Sequence, residues 1–107
     1  MTELNEKLLN EAVAKYELYS VSQRTVLNTL ITVAIDGIAS VTNKYLMQVT
    51  GLSRYSIHLI LKRLCSDNFI EPVRIEGTRH DSFKINYIKL NQVVQLHLKK
   101  EAILQTK

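Results

Sequence analysis

Apolar residues recur along the chain with two different periods. From Glu3 to about Tyr19, the stripe Leu8, Leu9, Ala12, Tyr16 and Tyr19 has helical spacing and predicts a leading helix. Ser22 is a candidate cap for a second helix, with Val21 and Val26 placed as a hydrophobic staple. That helix carries Leu27, Leu30, Ile31 and Ala34 on one face and is expected to stop at Asp36-Gly37, glycine supplying a left-handed C′ residue. Ile38-Ala39-Ser40-Val41 is too short for a helix and suits a small strand. Thr42 then caps a short third helix, Asn43 to Val49, and Thr50-Gly51-Leu52 is a turn. Ser53 caps a fourth helix reaching about Asp67, with Ile57, Ile60, Leu61 and Leu64 inward. Asn68 follows, the residue that best replaces glycine at positive φ.

The period then changes to two. Val73 and Ile75 alternate with Arg74 and Glu76, and Phe83, Ile85 and Tyr87 alternate with Lys84 and Asn86. With the polar stretch from Glu76 to Ser82 between them, the two runs predict a β-hairpin. Pro72 is confined to the start of its strand or to a sheet edge. Asn91 is a candidate cap for a last helix, Gln92 to about Gln105. The expected fold is therefore mainly α with a small β-hairpin. No linker or repeat divides residues 1–107, so a single domain is expected, with a leading helix over 1–20, a core over 22–87 and a trailing helix over 91–105.

Composition changes this picture little: 46% apolar and 22% charged residues are a globular balance. No apolar run exceeds three residues, which argues against a membrane span or secretory segment. One cysteine, Cys65, cannot form an internal bridge and suits a reducing compartment, so a cytoplasmic location is expected. Charge is more telling. The net +4 divides into −2 over residues 1–36 and +6 over 37–107. Between Gly37 and Asp67 stand Lys44, Arg54, Lys62 and Arg63 with no acidic residue, a pattern that attracts a polyanion or simply marks a solvated face.

Reactive chemistry is sparse. There is no phosphate-binding glycine loop and no nucleophile elbow. His58, His80 and His97 show no metal-ligand spacing, and Cys65 with His58 lacks a third orienting group. No catalytic residue, metal or cofactor is expected, and Cys65 is taken as a buried structural residue. The chain is not expected to be an enzyme.

Two short helices joined by a turn with a central glycine form the core of a helix-turn-helix. Counting from Gly51, the residues Leu46, Leu52, Ile57 and Ile60 fall on the buried positions of that motif. With Thr50-Gly51-Leu52-Ser53-Arg54, Leu61-Lys62-Arg63-Leu64 and Phe69-Ile70-Glu71, the sequence resembles the winged helix-turn-helix DNA-binding family over Ser22 to about Tyr87. Its element order, with added N- and C-terminal helices, is similar to that of bacterial repressors of the multiple-antibiotic-resistance type. Met47, where the family prefers a small residue, and Asn68, where it prefers glycine, depart from the pattern.

Stepping about 100° per residue from Ile57 turns Tyr55, Leu59, Lys62 and Ser66 outward, with His58 and Arg63 beside them. The resemblance implies a major-groove helix over 53–67, with base reading by Arg54, Tyr55, Ser56 and His58 and a phosphate contact by Lys62. Arginine pairs in bidentate fashion with guanine, and Leu59 suits a thymine methyl. Ser53 serves both as cap and as part of an anion-binding first turn. Thr42, Asn43 and Lys44, at the start of the preceding helix, are further phosphate contacts on this reading, and Arg79, His80 and Lys84, expected on or near the hairpin tip, reach an adjacent minor groove or a phosphate.

The trailing helix has Leu90, Val94 and Leu98 on one face and Leu96 and Ile103 opposite, which motivates a homodimer through the first and last helices. The function expected is a sequence-specific double-stranded DNA-binding regulator. Exposed Tyr55 and Leu59 motivate a second reading, a protein-interaction module in a larger complex, and a plasmid or phage replication or partition factor is a third possibility. No residue identifies a small-molecule effector.

Overall fold

A computed structural model of the chain describes residues 3–75, 77 and 81–105, the side chains of 3–5 and 105 excepted. Five helices and three strands follow in the order α1 (Glu3–Ala14), α2 (Val21–Val33), β1 (Ile38–Val41), α3 (Asn43–Thr50), α4 (Arg54–Ser66), β2 (Ile70–Val73), β3 (Asp81–Ile85) and α5 (Tyr87–Gln105). The helix α2 lies at the centre, packed on α1, α3, α4 and β1 through buried Val26, Leu27, Leu30 and Ile31. Against it close Leu46 of α3 and the predicted stripe Ile57, Ile60, Leu61 and Leu64 of α4, all buried. Leu52 of the turn and Met47 are only half-buried, packed at the core's margin. The departure at Met47 therefore needs no close helix crossing.

Several boundaries differ from the sequence expectation, each for a local reason. The cap of α2 is Ser20, whose Oγ accepts the Gln23 N–H (3.2 Å) while Gln23 Oε1 accepts the Ser20 N–H (2.9 Å). This reciprocal capping box satisfies two orphan amides, which Ser22 cannot do, and leaves Val21 exposed rather than stapled. The leading helix accordingly ends at Ala14, and 15–19 form turns. Asp36-Gly37 is not a helix stop. The helix ends at Val33, and Asp36 (φ 52°) and Gly37 (φ 80°) make a two-residue reversal in which Ile35 and Ile38 exchange both backbone hydrogen bonds (2.9 and 3.1 Å). Two successive positive-φ residues are the signature of a tight hairpin turn.

The hairpin is one part of a three-stranded antiparallel sheet ordered β1-β3-β2. Ile38 faces Lys84 across β1 and β3, and Ile70 faces Ile85 across β2 and β3. Strand β2 begins at Ile70, and Pro72 sits inside it, tolerated because β2 is an edge strand. Tyr87 does not extend β3. It opens α5, which starts well before Asn91: Asn86 is the actual cap, its Oδ1 accepting the Lys89 N–H at 3.2 Å. The inward face of α5 is Leu90, Val93, Val94 and His97, so Leu98 is exposed instead of buried.

The far end of α4 is fastened by aromatic and ionic contacts. Asn68 (φ 65°) takes the left-handed position expected of it, its N–H donating to the Cys65 carbonyl (3.1 Å) and that of Phe69 to the Leu64 carbonyl (3.0 Å). Phe69 is thereby driven against Tyr16 and Tyr19, with edge-on ring contacts at 5.9 and 5.4 Å, and the two tyrosine rings meet each other edge-on at 5.2 Å. The Tyr19 hydroxyl donates to Asp67 Oδ2 at 2.6 Å, and Arg63 Nε donates to the same oxygen at 2.8 Å. Arg63 also lies over the Tyr19 ring at 5.7 Å. Tyr19 and Arg63 hold the Asp67 carboxyl below its ordinary range, while burial and then Asp67 push the Tyr19 phenol up.

Two stability measurements follow from these features. Gly37→Ala forces a β-carbon onto a positive-φ backbone and is expected to cost about 1–2 kcal/mol in urea unfolding, the same change at an ordinary loop position costing nothing comparable. Asp67→Asn is expected to cost about 1–2 kcal/mol near neutral pH through the lost charge-assisted hydrogen bonds. Because the folded pKa of Asp67 lies below the unfolded one, its contribution is present above about pH 4 and lost as pH falls through the folded value. The gap between wild type and Asp67→Asn therefore closes in urea titrations on acidification below about pH 4; a constant gap contradicts the assignment.

Candidate nucleic-acid interface

The outward face of α4 follows from its inward one. With Ile57 and Leu64 wholly buried, helical spacing leaves Arg54, Tyr55, His58, Leu59, Lys62 and Ser66 exposed, as expected. Tyr55 is 70% and Leu59 46% exposed. Arg54 and Lys62 make no hydrogen bond or ion pair to any described residue, and no acidic residue stands in the first turn. These two cations are available. Arg63 is not: its guanidinium is committed to Asp67 and Tyr19 at the helix end, although sequence spacing places it beside the outer face.

The start of α4 is built by its own polar side chains. Gly51 (φ 74°) reverses the chain after α3, and its N–H donates to the Met47 carbonyl at 2.9 Å. Thr50 steadies the turn, its Oγ1 accepting the Leu52 N–H at 3.2 Å. Ser53 then caps α4 by accepting the Ser56 N–H (3.1 Å), while its hydroxyl donates to Ser56 Oγ (3.1 Å). Ser56 is thus half-buried and engaged with the cap. The remaining first-turn amides point out of the helix beside Arg54, the arrangement that receives an anion.

The other expected contacts are distributed less evenly. Thr42 caps α3 by accepting the Tyr45 N–H (3.0 Å) and is half-buried, as is Asn43, whereas Lys44 is exposed. Lys84 is exposed but is not at the hairpin tip. It sits at the base of the sheet, level with Ile38 on one side and Glu71 on the other, where an acidic neighbour offsets its charge. Arg79 and His80 lie outside the described residues.

Cys65 is free and half-buried, and burial pushes its thiol pKa up. A thiol kept protonated is a poor nucleophile, which fits a packing role. One constellation escaped the sequence analysis. Glu11 of α1 meets His97 and Glu101 of α5, with His97 Nε2 3.6 Å from Glu11 Oε1 and 3.7 Å from Glu101 Oε1. The four-residue step from His97 to Glu101 on a helix was the available signal; the third member needed the packing of α1 on α5. No described helix is long and apolar enough to cross a membrane.

No protein-family model and no curated protein matches the sequence. Solved structures do match by shape. A mutant of MepR from S. aureus, bound to an oligodeoxyribonucleotide, superposes with a TM-score of 0.60 at 16% identity, over 97% of this chain and 78% of that one. The oxidised form of MarR from E. coli gives 0.53 at 20% identity, over 92% and 71%. MarR from E. coli complexed with operator DNA, also as a mutant, gives 0.52 at 19% identity over the same shares. BpsR of Bordetella bronchiseptica gives 0.54 at 16% identity, over 96% and 75%. With the helix-turn-helix and sheet described above, these likenesses give the chain the winged helix-turn-helix fold of the MarR-type regulators.

Proposed function

We propose that the chain is a sequence-specific double-stranded DNA-binding transcriptional regulator that acts as a homodimer with α4 in the major groove. The observation that carries this reading is the outer face of α4, where Arg54, His58 and Lys62 stand exposed with no carboxylate on the helix to oppose them. The likeness in fold to MarR and MepR structures that hold DNA supports it. Arg54, Tyr55 and His58, with Ser56 behind them, read base edges; Lys62, Lys44 and the first-turn amides beside Ser53 bind phosphates, with Thr42 and Asn43 shaping the start of α3. Arg79 and Lys84 are further contacts to a phosphate or an adjacent minor groove on this reading.

Dimerisation is the second part of the proposal. Leu18, Ile88 and Leu96 are exposed on or beside the terminal helices, apolar side chains that a second copy would cover. A two-fold dimer places two α4 helices about 34 Å apart and calls for a palindromic site. The exposure of Tyr55 and Leu59 favours one other reading, a protein-interaction module that uses α4 as its contact surface.

Selection of bound sequences from random duplexes, followed by mobility shifts, tests the proposal. Arg54→Ala is expected to cost about 1–3 kcal/mol on the selected site and little on unrelated duplexes, whereas Lys62→Ala weakens all duplexes alike. Equal loss on every duplex for both variants contradicts base reading by Arg54. Affinity that falls steeply with salt supports phosphate contacts, while a salt-insensitive interaction with no duplex retained favours the protein module. In sedimentation velocity, the wild type is expected to run as a dimer at micromolar concentration and Leu96→Glu as a monomer.

A further inference from the structure

We propose that Glu11, His97 and Glu101 form a binding site for a divalent transition-metal cation, zinc above all, that clamps α1 to α5. Among the described residues these three offer one nitrogen and two carboxylate oxygens, all within 4.8 Å of one another. They come from two helices that pack together, so an ion held there is a bridge between elements far apart in sequence.

Three observations carry the assignment. The first is the position of His97, which is only 8% exposed although it stands on an otherwise mostly exposed stretch of α5. Its Nε2 faces both carboxylates, yet at 3.6 and 3.7 Å neither contact is a hydrogen bond, for which about 2.7–3.2 Å is usual. A tetrahedral zinc with bonds of about 2.0–2.1 Å holds its ligand atoms about 3.3 Å apart. The three ligand atoms lie within 4.8 Å of one another, wider than a bound ion requires, and side-chain rotations draw them in around it.

The second is charge. Two carboxylates brought together across a helix interface repel unless a cation lies between them, and here one does. Lys15 Nζ is 3.4 Å from Glu101 Oε1 and 3.9 Å from Glu11 Oε1. The lysine side chain is 59% exposed on a flexible stem, so its ammonium can withdraw to solvent when a doubly charged ion takes its place. Lys100, the other cation beside the cavity, is paired with Glu17 at 3.2 Å and does not compete for the same carboxylates.

The third is room. A cavity of about 170 Å³, lined among others by Tyr16, Val93 and Leu96, adjoins His97 and Glu101. That volume accommodates water on the coordination positions the protein leaves open. The ligand set also decides among metals. Imidazole favours zinc and its transition-metal neighbours, whereas calcium takes 6–8 oxygen ligands and magnesium keeps most of its own water.

This site stands apart from the reading of α4 and is tested without DNA. Zinc chloride is titrated calorimetrically into the full, metal-stripped chain, and cobalt(II) serves as a spectroscopic probe. The expected result is one ion per chain, with affinity at least about tenfold weaker in His97→Gln and in Glu101→Gln and several-fold tighter in Lys15→Met. Glu101 is part-exposed, so Glu101→Gln keeps the test decisive should the His97 variant fold poorly; circular dichroism of each metal-free variant checks this. Cobalt is expected to give ligand-field absorption in wild type that Glu101→Gln loses. Absence of saturable zinc binding overturns the proposal, and so does unchanged affinity in both His97→Gln and Glu101→Gln, which would assign the ion to other histidines or to Cys65.

Discussion

The burial of one stripe of α4 is the constraint from which the candidate surface follows. Ile57 and Leu64 are wholly buried and Ile60 and Leu61 nearly so. At about 1.5–3 kcal/mol for each buried aliphatic side chain, rotating that stripe outward would remove an amount comparable with the stability of an ordinary domain. The orientation of Tyr55, His58, Leu59 and Lys62 is therefore fixed without any interaction of their own. A surface held in this way is free to vary, because its side chains carry none of the load of the fold.

Orientation about the helix axis is only half of the positioning problem; the ends must also be held. At the start, the Gly51 reversal and the Ser53 cap define where α4 begins. At the finish, Arg63, Asp67 and Tyr19 join it to the segment between α1 and α2. Asn86 adds a second tie there, its Nδ2 donating to the Asn68 carbonyl (2.8 Å) and its N–H to the Phe69 carbonyl (2.9 Å). Since Asn86 also caps α5, the turn after α4 and the start of the trailing helix form one hydrogen-bonded unit.

What could be read in advance was what depends on neighbours in sequence. Thr42, Ser53, Gly51 and Asn68 occupy the expected caps and positive-φ positions because a cap is chosen within three residues of itself. The inward stripe of α4 was equally legible, since its period survives packing. The misses share a different cause. Ser20 and Ser22 are both competent caps, and Gln23, three residues after Ser20, decides between them. Asp36-Gly37 serves a helix stop and a hairpin turn equally well until β1 is paired with β3. Asn86 and Asn91 posed the same choice, settled by the turn after α4 that Asn86 alone reaches. On α5 the apolar residues outnumber the places on one face, so the pattern could not tell Leu98 from Val93. The Glu11, His97 and Glu101 group was invisible for the plainest reason: one member is contributed by another helix.

The distribution of free charge bears on where discrimination between sequences would arise. Of the cations in the one-signed stretch from Gly37 to Asp67, Arg63 is neutralised by Asp67, leaving Lys44, Arg54 and Lys62. At the base of the sheet Lys84 lies opposite Glu71, so this part of the wing contributes little net field. Lysine contacts to phosphate set affinity and register without distinguishing bases, and only a planar, forked donor or a side chain meeting base edges distinguishes them. On the proposed reading, then, affinity is spread over α3, α4 and the first-turn amides, whereas specificity is concentrated in the first turn and a half of α4, at Arg54, Tyr55 and His58. The exposed tyrosine and leucine beside them belong to the same logic: apolar contact with a thymine methyl needs no charge, and it is lost without any change in the salt dependence that the lysines impose.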